Sequence, residues 1–117
     1  MERMMIVEDH SAFAQALALV LGEGTEIVLA RTLEEGRALV RDGGPFDVVV
    51  LDLALPDGVG TSLVPDIREH HPRTRVVVLS ARDDIDEVAS KAGADAAIPK
   101  ETPLPEIISS LRRMIEE

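Results

Sequence analysis

Short apolar runs alternate with helix-patterned stretches along the whole chain, and that alternation leaves few folds open. Met4–Val7, Glu26–Ala30, Asp47–Leu51, Arg75–Leu79 and Ala96–Ile98 are brief and rich in Val, Ile, Leu and Ala. Their length and residue types predict strands. Ser11 caps an expected helix through about Leu21, with Phe13, Leu17, Val20 and Leu21 at helical spacing. Gly22 and Gly24 stop it. Thr32 caps a second helix to about Arg41, and Thr32-x-x-Glu35 is a capping-box pattern. The third runs from Thr61 to about His70 and tolerates Pro65 only in its first turn. The fourth spans Asp83 to about Lys91 and closes at Gly93. The fifth spans Pro103 to about Ile115, with Leu104, Ile107, Ile108, Leu111 and Ile115 as its apolar face.

Regular β-then-α alternation implies right-handed crossovers and a doubly wound parallel sheet, (βα)5 in an α/β domain. The third and fourth strands show little polar alternation, as expected when both faces of a sheet are covered. With 117 residues and no internal linker or repeat, residues 1–117 read as a single domain. Two Phe and no Tyr or Trp require an aliphatic core.

Charge and composition exclude several functions. Twelve Lys and Arg against 22 Asp and Glu leave a formal charge of −10, which argues against direct nucleic-acid binding and against an anionic membrane surface. No cysteine is present, so there is neither a disulfide framework nor a thiolate metal site. No apolar run approaches a membrane span, and the N-terminus lacks a signal-peptide pattern. A cytoplasmic domain is expected.

In an open α/β sheet, ligands bind beyond the carboxyl ends of the strands. The first strand delivers Glu8 and Asp9 there, the third Asp52, the fourth Ser80 and the fifth Lys100. The second delivers Arg31 and Thr32, which join no recognisable constellation. Three carboxylates so close repel one another, and a divalent cation relieves that repulsion; oxygen-only ligands favour Mg²⁺ or Mn²⁺. Lys100 offers a point charge and Ser80 a donor for a phosphoryl oxygen. A nucleophile, a metal and fixed cations are the parts of phosphoryl transfer, and Asp52 is the best nucleophile of the set. Each residue also has a plainer reading. Asp52 and Ser80 can cap turns, Glu8-Asp9 can be a solvated helix lead-in, and Lys100 can be a surface lysine. Their joint placement on one sheet edge favours the site.

The stretches "IVEDH" (6–10), "VVVLDLALPDGVG" (48–60), "VVVLSA" (76–81) and "GADAAIPK" (93–100) together resemble the receiver domain of two-component response regulators. The resemblance runs from Ile6 to Ile115, and "EDHSAFAQAL" and "DLALPDGVG" lean toward the NarL/LuxR-type branch. It implies a flavodoxin-like fold with strand order 2-1-3-4-5. It further implies that Asp52 accepts phosphate from a sensor histidine kinase or phosphotransfer protein. Glu8, Asp9, Asp52 and the backbone carbonyl of Ala54 would bind Mg²⁺, and Ser80 and Lys100 would engage the phosphoryl group. The readout would fall on the face of helix four, strand five and helix five, passing to an output domain or a target protein, with a homodimer as one possible form. On this reading the chain is a signalling domain with intrinsic phosphoryl transfer and autophosphatase activity, and belongs to a transcriptional regulator.

The sequence departs from that pattern. Ala97 stands where many receivers carry a switch aromatic, and Glu101 where a proline is common. Ala54 and Arg82 occupy the two positions that commonly tune dephosphorylation; Ala54 cannot orient water, so slow self-dephosphorylation is expected. Two other functions compete. A stand-alone aspartyl phosphotransferase or phosphatase of haloacid-dehalogenase layout needs an acid where Ala54 stands. A degenerate receiver acting only as an interaction module does not call for the intact five-residue set. His10, His70 and His71 read as structural or surface residues, and Gly58-x-Gly60 as turn geometry rather than a dinucleotide fingerprint.

Overall fold

The computed structural model describes residues 2–116. Met1 and Glu117, the ends of the expected 1–117 domain, lie outside the described residues. The elements in chain order are β1 (Glu2–Val7), α1 (Ser11–Leu21), β2 (Thr25–Ala30), α2 (Leu33–Asp42), β3 (Val48–Leu51), β4 (Ala54–Leu55) and β5 (Gly58–Val59). A 3₁₀ turn (Gly60–Leu63) then leads into α3 (Val64–His70), followed by β6 (Arg75–Ser80), α4 (Ile85–Ala92), β7 (Ala96–Pro99) and α5 (Leu104–Glu116).

The main sheet is fully parallel, ordered β2-β1-β3-β6-β7. Counting only its own strands, that is the expected 2-1-3-4-5 order. Alternation along the strands builds a core on each face. Met4, Ile6, Val48, Val50, Val77 and Leu79 pack with Leu17 and Leu21 of α1 and Ile107 and Leu111 of α5. Met5, Val7, Val49, Leu51 and Val76 pack on the other face, against Leu33 and Val40 of α2 and Val64 and Ile67 of α3. A smaller cluster of Leu53, Val78, Ile85 and Ala89 seats α4.

Several local expectations change. Ser11 does not cap α1. The N-cap is His10, with no side-chain cap bond, and the His10 N–H donates instead to Glu8 Oε2 at 3.2 Å. That bond folds the strand end back, so the helix starts with Ser11 already inside it. Thr32 does cap α2, its Oγ1 accepting from the Glu35 N–H at 3.1 Å, while Glu35 Oε2 accepts from the Arg31 N–H at 2.9 Å. The third helix opens as a 3₁₀ turn, and Pro65 falls in the first turn of α3, where its missing N–H costs no hydrogen bond. Gly93 ends α4 at φ 82°, a left-handed conformation that glycine adopts freely.

The pair β4–β5 was not anticipated. Ala54 pairs with Val59 and Leu55 with Gly58, so Pro56-Asp57 forms the tip of a small antiparallel hairpin. At that tip Asp57 accepts from the Leu33 N–H at 2.8 Å and the Glu34 N–H at 3.1 Å. The hairpin behind Asp52 is thereby pinned to the start of α2, and Asp57 shares the capping of that helix with Thr32.

Candidate phosphoacceptor site

β3 is buried throughout, and its backbone continues into Asp52, whose N–H donates to Val7 O at 3.0 Å. That bond prolongs the β1–β3 ladder by one residue and fixes the aspartate at the sheet edge. Asp52 is 5% exposed and Glu8 3% exposed, whereas Asp9 is exposed. Carboxylate oxygens of Glu8, Asp9 and Asp52 lie within 4.8 Å of one another.

Lys100 follows β7. Its N–H donates to Ser80 O at 2.9 Å, so the β6–β7 ladder ties the lysine directly to the serine. Lys100 Nζ lies 2.6 Å from Glu8 Oε1 and 3.1 Å from Asp52 Oδ2. Ser80 is buried, and its Oγ accepts from the Arg82 N–H at 3.3 Å. Asp52 Oδ1 accepts from the Ala54 N–H at 3.3 Å, which places Ala54 beside the acids. The structure thus brings Glu8, Asp9, Asp52, Ala54 and Lys100 together and sets Ser80 at the end of the neighbouring strand.

One ammonium faces three acids here, so negative charge is in excess. Burial pushes the Glu8 carboxyl above its ordinary value; Lys100 pulls it down, and the adjacent Asp52 pushes it up again. Burial alone would lower the Lys100 ammonium, but its bonds to Glu8 and Asp52 outweigh that and raise it. A pocket of hard oxygen donors with surplus negative charge fits a divalent cation such as Mg²⁺.

Other residues matter whose sequence signals are weaker. Gly60 passes so close to Asp52 that a Cβ there would lie 1.8 Å from Asp52 O. Only glycine fits, and the pattern Gly58-x-Gly60 signalled a turn without showing what it turns against. Arg31 and Thr32 line a cleft with Asp9, Glu35 and Pro56, so the end of β2 borders the acidic site after all. Arg82, expected near a phosphoryl group, has its guanidinium paired with Asp84 at 2.7 and 2.9 Å. A cavity of about 670 Å³ lies elsewhere. Arg3, Asp47 and Arg75 line it, at or just before the starts of β1, β3 and β6 and so at the opposite edge of the sheet.

Comparison with known proteins agrees with this geometry. Residues 4–112 match the family described as "Response regulator receiver domain". The KDP operon transcriptional regulatory protein KdpE of Escherichia coli K12 is 36% identical over 115 residues, covering 96% of this chain and 50% of KdpE. The transcriptional regulatory protein PmrA of Pectobacterium parmentieri is 34% identical over 116 residues, covering 97% of this chain and 52% of PmrA. The non-phosphorylated HemR receiver domain from Leptospira biflexa superposes with a TM-score of 0.89 at 32% identity, covering 100% of this chain and 96% of that one. The chain belongs to the response regulator receiver domain family, whose role is phosphorylation-dependent two-component signalling. It spans about half the length of these two curated relatives. Among the described residues no helix is long and apolar enough to cross a membrane.

Proposed function

We propose that Asp52 is the phosphoacceptor, receiving a phosphoryl group from a sensor histidine kinase or phosphotransfer protein, and that residues 1–117 act as one receiver unit of a cytoplasmic transcriptional regulator. The observation that carries this reading is the Lys100 ammonium held between Glu8 and Asp52 on one sheet edge. An Asp52 carboxylate oxygen attacks the donor phosphorus; the P–N bond to the donor imidazole breaks, and its electron pair stays on the leaving nitrogen. Lys100 offsets the developing charge, and the Ser80 hydroxyl gives up its bond with the Arg82 N–H to donate to a phosphoryl oxygen. Glu8, Asp9, Asp52 and the Ala54 carbonyl would hold Mg²⁺, which when bound supplies Lewis-acid stabilisation of the phosphoryl oxygens.

Phosphorylation adds roughly −1.5 to −2 charges. Because Ser80 and Lys100 are joined through the β6–β7 ladder, that charge acts on β7 and on the neighbouring α4 and α5. Ala97 gives β7 no aromatic to reorient, so the readout passes through backbone and loop movement. An output domain or target protein would read the α4–β7–α5 face, and a homodimer is one form such reading can take. The narrower NarL/LuxR assignment rests on the stretches "EDHSAFAQAL" and "DLALPDGVG".

Incubation with phosphoramidate and Mg²⁺, followed by intact mass, tests the acceptor. One added phosphate is expected on the wild type and none on Asp52→Asn; equal gain by both would overturn the assignment. Self-dephosphorylation is slow in this reading, because Ala54 has no polar side chain and Asp84 holds Arg82. Ala54→Asn shortens the phosphoryl half-life several-fold, and a half-life equal to the wild type's would refute the role of that position.

A further inference from the structure

We propose that the face of Phe13 is a second seat for the Lys100 ammonium, a positioning contact that keeps the lysine at the acceptor while the carboxylates beside it change partners. This rests on the reading of Asp52 as the phosphoacceptor. Lys100 Nζ lies 5.2 Å from the centroid of the Phe13 ring, within cation–π range, while it also bridges Glu8 and Asp52. Phe13 is half-buried on α1 and packs at the margin of the α1–α5 side of the core. The chain contains only two Phe and no other aromatic of the Phe, Tyr and Trp class. Both carry a cation: Arg3 stands 4.8 Å over Phe46 at the other edge of the sheet. A leucine would fill the α1 stripe equally well, so apolar packing alone does not call for a ring at position 13.

In the structure, the ammonium neutralises the same two carboxylates that a divalent cation would take. Once those oxygens are engaged elsewhere, a lysine with no other partner gains most by extending into water. A carboxylate in place of Phe13 would hold it by neutralising it. A ring face holds it weakly and leaves the charge available for a phosphoryl oxygen. Phe13 therefore bounds where Lys100 can go, and the lysine's 22% side-chain exposure shows how open the remaining route is.

Phosphorylation by phosphoramidate in excess Mg²⁺ tests this. The Phe13→Leu variant is expected to show a maximal rate about threefold lower with an unchanged donor concentration at half-maximum, and Phe13→Tyr restores the rate. In a Lys100→Met background the Phe13→Leu substitution has no further effect. A purely structural role would predict loss in both backgrounds. The Lys100 side-chain proton shifts give a second measurement that does not depend on turnover. The Hε signals lie upfield in the wild type, with Mg²⁺ and with beryllofluoride, and return to ordinary values in Phe13→Leu. Ordinary values in the Mg²⁺-loaded wild type, or an unchanged Phe13→Leu rate, overturn the proposal. If the wild type takes up no phosphate, the acceptor reading falls and takes this inference with it. Uptake with an indifferent Phe13 removes the inference alone.

Discussion

The two ends of the sheet solve the problem of charge differently. At the strand starts, charges are matched. Arg3 pairs with Glu26 and caps Gly43 O and Pro45 O, and its own N–H donates to Asp47. Arg68 pairs with Asp95 at 2.9 Å and also donates to Thr74 O and Gly93 O, while Asp95 accepts from the Val76 N–H. Glu26, Asp47 and Asp95 each have a cation or a backbone donor, and the networks are half-exposed. At the strand ends one lysine bridges two buried acids, Glu8 and Asp52, with the exposed Asp9 beside them. The first arrangement closes the fold where chains enter the sheet. The second leaves binding capacity unspent, and that surplus is what a cation and a phosphoryl group can use. The lesson is that stability and reactivity are separated along the strands, as Arg3 from Glu8, Asp47 from Asp52 and Asp95 from Lys100.

Backbone substitution gives the largest contrast. Gly60→Ala sets a Cβ 1.8 Å from Asp52 O, a backbone atom of a buried strand end that has nowhere to move. Gly44→Ala at the other edge meets the His71 ring at 2.3 Å, a side chain that can rotate away at the cost of its bond to Val40 O. We expect Gly60→Ala to lose about 4 kcal/mol or more and Gly44→Ala about 1–2, read from urea unfolding. Equal losses would mean that the strand end at Asp52 is no more tightly built than the opposite edge.

Breaking the ion pairs comes next. Lys100→Met leaves Glu8 and Asp52 buried and unpaired, a change in the range of about 3 kcal/mol in the absence of divalent cations. Millimolar Mg²⁺ should recover most of it, and stabilise this variant more than the wild type, because the lysine no longer competes for the carboxylates. Arg68→Met at the matched edge should cost about 1 kcal/mol or less, with no recovery by Mg²⁺. Thermal unfolding with and without Mg²⁺ separates the cases. Recovery of Arg68→Met, or none for Lys100→Met, would dissolve the distinction between the two ends.

These contrasts also show what a sequence can display. Asp52, Glu8, Asp9, Ser80 and Lys100 were legible because each follows a strand-type run, and strand ends in a parallel sheet share one edge. The order of the strands followed from the resemblance, and burial on both faces of the sheet from the unbroken apolar runs of the third and fourth strands. What stayed hidden depends on approach in space. Gly60 is required by an atom eight residues earlier, and only the path of the hairpin reveals it. Asp57 caps a helix 24 residues before it. Phe13 fits a helical stripe as well as it fits a lysine from the far end of the chain. Ser11 misled because Glu8, a site residue, takes the turn's N–H and shifts the helix start.

The smallest effects come from single acids whose backbone bonds do most of the work. Burial pushes the Asp95 carboxyl up, but the Val76 N–H and Arg68 outweigh it, so its folded value lies below the ordinary one. A group depressed in this way stabilises the fold above its unfolded value of about 3.9, and that contribution disappears as pH falls through the lower folded value. Exposure and screening keep it under about 1 kcal/mol. The gap in urea midpoint between wild type and Asp95→Asn should therefore be present at neutral pH and shrink in strong acid; a constant gap would assign the loss to packing. Asp57 is depressed as well, chiefly by the Leu33 N–H, and it is fully exposed. Asp57→Ala should scarcely move global stability, yet it should speed hydrogen exchange at the Leu33 and Glu34 amides, which lose their acceptor. If exchange there is unchanged while Thr32→Ala accelerates it, the cap rests on Thr32 alone, and the hairpin behind Asp52 is not anchored to α2 through this residue.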